Sequence, residues 1–254
     1  MNTLVIARKE LNSYFRSPIA YGVMAFFAVI AGYFFYVSVV FFVQRGMQAA
    51  MMGQSFPMDV NEVVVRPLFS NISVIALFLI PMITMRLFAE EKRSGTIELL
   101  LTSPIHDIEV ILGKFIGATL LYISLLVISF LSLGLLFAYG KPDWRPIAVG
   151  YLGLLLQGCA LLAIGTFISN CTKNQIVAGV AGFAVCLMLW ILNWMSEFGN
   201  SIVQRILSYL AVTSHFDSFS KGVLDSKDII YYLSVIFVGL FLTARSMESL
   251  RWRA

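Results

Sequence analysis

Six long apolar runs decide the fold before any motif does. They lie at about 19–43, 69–88, 115–139, 147–169, 176–195 and 229–246, and each is nearly free of charge. An α-helix needs about 20 apolar residues to cross the hydrocarbon core of a bilayer. Barrel strands would be shorter and would alternate apolar with polar residues. These runs do not alternate, so they read as helices. Composition agrees: 59% of the 254 residues are hydrophobic, 13% are charged, and mean hydropathy is +0.85. A soluble domain carries about a quarter charged residues. The expected fold is an all-α membrane protein with six transmembrane helices, forming a single domain over 1–254.

An even number of spans puts both chain ends on one side. That side holds eleven Lys and Arg (Arg8, Lys9, Arg16, Arg86, Lys92, Arg93, Lys114, Lys173, Arg245, Arg251, Arg253), and the other holds seven. Basic residues accumulate in short cytoplasmic segments, so both termini are expected in the cytoplasm. The same rule accounts for the net charge of +4 without nucleic acid. Tyr139, Trp144, Trp194 and Tyr231 are expected as an aromatic belt at the outer interface. Cys159, Cys171 and Cys186 lie in or beside apolar runs, at no metal-ligand spacing, and read as packing residues. The first run is too long for a signal-peptide core and has no small-residue exit, so no cleaved signal is expected.

Three segments outside the spans have their own patterns. In 3–16, Leu4, Ala7, Leu11, Tyr14 and Phe15 share one helical face, while Arg8, Lys9, Asn12, Ser13 and Arg16 share the other. This predicts an amphipathic helix at the inner membrane surface, ended by Ser17-Pro18. The segment 44–68 is short and polar. The segment 196–228 carries Ile202, Val203, Ile206, Leu207 and Leu210 at helical spacing, which predicts an amphipathic helix on the outer side.

The densest information lies at 86–105, after the second span. Glu90, Glu91, Lys92 and Arg93 make a charged exit from the membrane, and Gly95 permits a sharp turn. Thr96 can cap a short helix, and Glu98 in its first turn complements the helix dipole. Leu99, Leu100 and Leu101 form its apolar body, and Pro104 ends it. So short a helix is not stable alone in water, so it needs a partner surface.

The pattern Glu-Glu-x-x-x-Gly-Thr-x-Glu-Leu-Leu-Leu-x-x-Pro from Glu90 to Pro104 resembles the type 2 ABC transporter permeases. The likeness extends over the amphipathic start, the six spans and the outer amphipathic segment. It implies that residues near 96–103 form a short cytoplasmic coupling helix, within a loop spanning 90–108, that docks in a cleft of an ABC ATP-binding subunit. The residues it marks for coupling are Glu90, Glu91, Gly95, Thr96, Glu98, Leu99, Leu100 and Pro104. It also implies a second permease chain, as homodimer or heterodimer, a path for export, and a bacterial inner membrane. ATP and magnesium would bind the partner subunit, not this chain. The run from Ser214 to Tyr232 is similar to a branch that includes gliding-motility-associated permeases. A scaffold subunit of a motility or secretion machine, or a transporter working without ATP, are the rival readings.

Several chemistries lack their residues. There is no G-x-x-x-x-G-K-[ST] phosphate loop, no H-E-x-x-H zinc motif and no G-x-S-x-G nucleophile turn. His106 and His215, the two histidines, fall on opposite sides of the membrane. His215 and Asp217 make a poor metal pair, and a loop-capping or surface role is favoured. No span carries an acid or base at its centre, as an ion-coupled transporter would. Gln157 and Asn193 are the polar exceptions and are expected to bond neighbouring helices. Gly113 and Gly117 form a G-x-x-x-G that could pack against another helix.

Overall fold

The structure is a computed structural model and describes residues 2–52, 59–97, 105–140, 142–196 and 202–251. The described residues form helices and connecting turns, with no strand among them. An amphipathic helix α1 (Asn2–Arg16) leads through Ser17 into α2 (Pro18–Met51). A π-helical turn at Asn61–Val65 opens α3 (Arg66–Thr84), and α4 (Ala89–Ser94) follows it. Then come α5 (Asp107–Tyr139), α6 (Trp144–Cys171) and α7 (Gln175–Ser196). Two short helices, α8 (Ile202–Leu210) and α9 (Val212–Ser220), precede α10 (Ser226–Arg251). Six segments are long and apolar enough to cross a membrane, and they match the six runs in order.

The helices outrun the apolar runs at their polar ends. The segment after the first run is less of a loop than its composition suggests. α2 continues to Met51, and the π turn takes up Asn61–Val65. Caps explain where other spans begin. His106 and Glu109 form a reciprocal capping box at the start of α5. Asp143 caps α6 by accepting from the Arg145 amide at 3.1 Å.

α6 is the hub. It packs against α3, α5, α7, α9 and α10, and Leu154, Ala160, Leu161, Leu162 and Ala163 along it are fully buried. Without a hydrophobic drive between helices in lipid, small residues that let backbones approach do the joining. Gln157, near the middle of α6, bonds Ser73 of α3 at 2.8 Å, as its isolated polarity predicted. α2, α7 and α10 are the least enclosed spans.

The G-x-x-x-G seats α1. A Cβ at Gly113 would lie 2.7 Å from the Ile6 Cβ, and one at Gly117 would lie 2.8 Å from the Glu10 Cβ. The apolar stripe of α1 therefore lies along the first turns of α5, with Ala7 and Tyr14 buried. Leu4, assigned to the same stripe, is 70% exposed.

Candidate functional site

The exit from α3 is held from three sides. Pro81 near the end of α3 accepts the Met85 amide on its carbonyl, and the chain turns through 85–88. Ser169, on the last turn of α6, accepts from the Phe88 amide at 3.1 Å and the Ala89 amide at 3.2 Å. Its hydroxyl faces the Met85 carbonyl at 3.3 Å. These two amides would otherwise be orphans at the start of α4. The Lys92 ammonium bonds the Asn170 carbonyl, so the far end of α4 is fastened to α6 as well. Glu90 and Glu91 in the first turn and Lys92 and Arg93 in the last complement the dipole of α4. Gly95 closes it with φ +75°, a left-handed conformation that side-chain-bearing residues rarely adopt. Thr96 and Ile97 are helical again, and the Thr96 hydroxyl lies 2.9 Å from that of Ser94. Glu98, Leu99, Leu100 and Pro104 lie outside the described residues.

Beside this exit sits a buried cation. The Lys114 side chain is 2% exposed, and its ammonium lies 2.7 Å from Glu10 Oε1 and 2.8 Å from Glu91 Oε1. It also stands 5.2 Å from the centre of the Phe88 ring. One ammonium thus ties α1, α4 and α5 together. Burying it alone would cost several kcal/mol, so the two carboxylates are what let it stay. Glu91 Oε2 is buried with no partner among the described residues. Glu90 turns the other way and pairs with Arg86 at 3.0 Å. Tyr14 completes the junction by donating to the Ile83 carbonyl at 3.0 Å. Burial, reinforced by the negative Glu10, pushes its phenol far above the ordinary range, so it stays a neutral donor.

Of the sequence-marked residues, the structure brings Glu90, Glu91, Gly95 and Thr96 to one place. Sequence reasoning missed Lys114, Glu10, Ser169 and Asn170. In the sequence Lys114 reads only as a marker of topology. A signal for the pair existed: Glu10 falls on the same stripe as Ala7 and Tyr14, where an acid needs a partner.

The opposite face corrects two expectations. His215 is neither a surface nor a loop residue but is 5% exposed. Its Nδ1 lies 2.7 Å from Asp228 Oδ1, its Nε2 2.9 Å from the Tyr209 carbonyl oxygen, and its ring stacks 3.9 Å from that of Tyr231. Tyr231 is therefore buried in this stack and does not join the aromatic belt, whereas Tyr139 and Trp144 are exposed. The side chain of Trp194 lies outside the described residues. Asp217 does not meet His215 as a metal pair. It binds Arg66 at 3.1 Å and also Lys221. Partial burial raises its carboxyl, but the hydrogen bonds from Lys221 and Arg66 outweigh that and hold it below the usual range. Among the described residues no three His, Cys, Asp or Glu gather as a metal would need. A cavity of about 510 Å³ opens beside this cluster, lined by Ser70, Ser73, Asn193, Thr213 and Asp217.

Comparison with known proteins gives one family. The model of the ABC-2 family transporter proteins matches residues 4–245. The chain is similar to the inner membrane transport permease YhhJ of Escherichia coli (strain K12), at 29% identity over 164 residues. That match covers 63% of this chain and 42% of the relative. It is also similar to the probable multidrug ABC transporter permease YbhR of the same organism, at 24% identity over 168 residues. Here 65% of this chain and 44% of the relative are covered. The chain thus matches less than half the length of either relative.

Proposed function

The chain belongs to the ABC-2 transporter family, and from that premise we propose that it is the membrane-spanning subunit of an ATP-driven exporter in a bacterial inner membrane. It is a transporter subunit rather than an enzyme. ATP and magnesium bind a separate ABC ATP-binding subunit, which docks against the stretch from Glu90 to Pro104. A second permease chain completes the export path. The observation that carries this reading is the fastening of α4. A short charged helix directly before the proposed docking residues is tied to α1, α5 and α6 by Lys114, Ser169 and Asn170. A push on the loop therefore reaches three helices at once. In this reading Gly95 sets the direction of the loop, and Thr96, Glu98, Leu99 and Leu100 meet the partner.

The test uses Gly95→Val and Glu98→Lys. There is open space around Gly95, so only its positive φ opposes a side chain. A β-branched residue there strains the turn by about 1–3 kcal/mol. Both variants are expected to insert normally, since insertion depends on the spans, and to lose co-purification of the ATP-binding subunit or transport-linked ATP hydrolysis. Gln157→Leu is the control. It removes the bond to Ser73 without touching the loop and should leave docking intact. If both loop variants behave like the parent, the stretch does not transmit the stroke.

Docking also requires that α4 face the cytoplasm, as the basic-residue asymmetry supports. In a background lacking the native cysteines, Ser94→Cys should resist an impermeant thiol reagent added from outside. Val223→Cys, on the opposite face and 55% exposed, should react. The reverse labelling pattern would sink the orientation and the docking reading with it.

A further inference from the structure

The exposed face of α1 has a use that its packing leaves open. Its apolar stripe is spent on α5, but Arg8, Lys9 and Arg16 point away from the bundle and are exposed. None of the three has an ion-pair partner among the described residues, whereas Arg66, Arg86, Lys114, Lys221, Lys227 and Arg245 all have one. Arg45, Arg93, Arg145 and Lys173 also lack an ion pair among the described residues, but they are scattered over separate elements, whereas these three share three turns of one helix. Together with Val5, Asn12 and Ser13 they line a shallow concavity of about 600 Å³. Leu4 and Val5, at the start of the helix, are 70% and 66% exposed. Only Ser17 separates α1 from α2, and Tyr14 is bonded to the end of α3. The helix is thus held at the boundary of the membrane-spanning bundle.

We propose that this face is a binding site for anionic phospholipid headgroups. The chemistry fits at each level. Three exposed cations match anionic phosphodiesters, and the Asn12 amide and Ser13 hydroxyl match headgroup hydroxyls. The exposed Leu4 and Val5 side chains enter the acyl boundary, as on other interfacial amphipathic helices. A soluble acidic protein could meet the cations but would leave those apolar side chains in water. Lys9 also lines the cleft that holds Glu10, Glu91 and Lys114, so an occupied lipid site braces the seat of the loop. The proposal rests on membrane embedding and not on the ATP-coupled reading.

The experiment is native mass spectrometry of the full chain in a neutral detergent, titrated with phosphatidylglycerol, with phosphatidylcholine, or with soluble glycerol phosphate. The parent should retain phosphatidylglycerol at least ten-fold over phosphatidylcholine and show no competition from glycerol phosphate at equal concentration. Each cation near a lipid surface is worth about five-fold in affinity. The triple variant Arg8→Gln, Lys9→Gln, Arg16→Gln should therefore lose the preference, and each single variant about five-fold of it. Glutamine is a good helix former, so circular dichroism should be unchanged. Lys227→Gln, on the opposite face, should keep the preference. Equal retention of the two lipids by the parent, or an undiminished preference in the triple variant, overturns the proposal. Equal competition by glycerol phosphate makes it a free-phosphate site and overturns the lipid assignment. A triple variant that keeps its lipid preference but loses a co-purifying protein makes the face a protein-docking surface, which overturns it too.

Discussion

Replacing Lys114 with methionine is expected to cost about 3–5 kcal/mol of stability. The volume is nearly conserved, so no large cavity forms. What is lost is the one positive charge between Glu10 and Glu91, at 2.7 and 2.8 Å. Two mostly buried carboxylates then face each other with nothing between them, and either α1 lifts from α5 or α4 swings out. Lys114→Arg keeps the charge but brings a planar fork into a space shaped for a compact ammonium, so it should fall between parent and methionine variant. The double variant Lys114→Met, Glu91→Gln should recover part of the loss, because the members of one network do not act additively. Unfolding in detergent micelles, followed by circular dichroism for all four proteins, measures this. A methionine variant within about 0.5 kcal/mol of the parent, the range of ordinary surface changes, would show that the triad does not hold the junction.

The number and order of the spans were legible because hydrophobic length is a local property of the chain. A run free of charge over twenty residues has few other uses. The amphipathic start was legible for the same reason, as a period of 3.6 can be read without knowing what lies opposite. The partners were not legible. Gly113 and Gly117 were visible as a packing pattern, but nothing in the sequence said that α1, a hundred residues earlier, fills the groove. Lys114 sits at the edge of an apolar run, where a lysine normally marks the aqueous boundary, and only the approach of Glu10 and Glu91 turns it into a buried cation. His215 shows the same limit from the polar side. Beside Asp217 it reads as a loop-capping or surface residue, yet α9 folds it inward onto Asp228 and Tyr231. In each case the error lies where polar residues meet across long separations, which periodicity cannot report. The loop was legible as a motif, but the fastening of α4 by Ser169 and Asn170, near the end of α6, was not.

The second large effect is expected at the centre of the bundle, from one substitution made at two places. Gly158→Leu should destabilise the protein by about 3 kcal/mol or more, while Gly134→Leu should leave it unchanged or slightly more stable. A Cβ at Gly158 would overlap the ring of Tyr122 on α5. That ring cannot simply turn away. It is 3% exposed, and its hydroxyl donates to the Leu154 carbonyl at 3.0 Å. Overpacking a tight contact costs about 1–3 kcal/mol, and stranding a buried hydroxyl adds about 1–3 kcal/mol. The loss falls on α6, so the helices that lean on it should loosen together. Around Gly134 there is nothing within 4 Å, and the residue is exposed. Leucine there points away from the bundle and recovers most of the roughly 0.8–1 kcal/mol by which glycine trails alanine in a helix. Because both changes add the same side chain to an apolar helix, general effects on insertion cancel in the comparison. Thermal unfolding of the two variants in one detergent gives the difference directly. Equal transitions for the two would mean that α5 and α6 do not meet at Gly158 and Tyr122, and the position of α6 as hub would have to be abandoned.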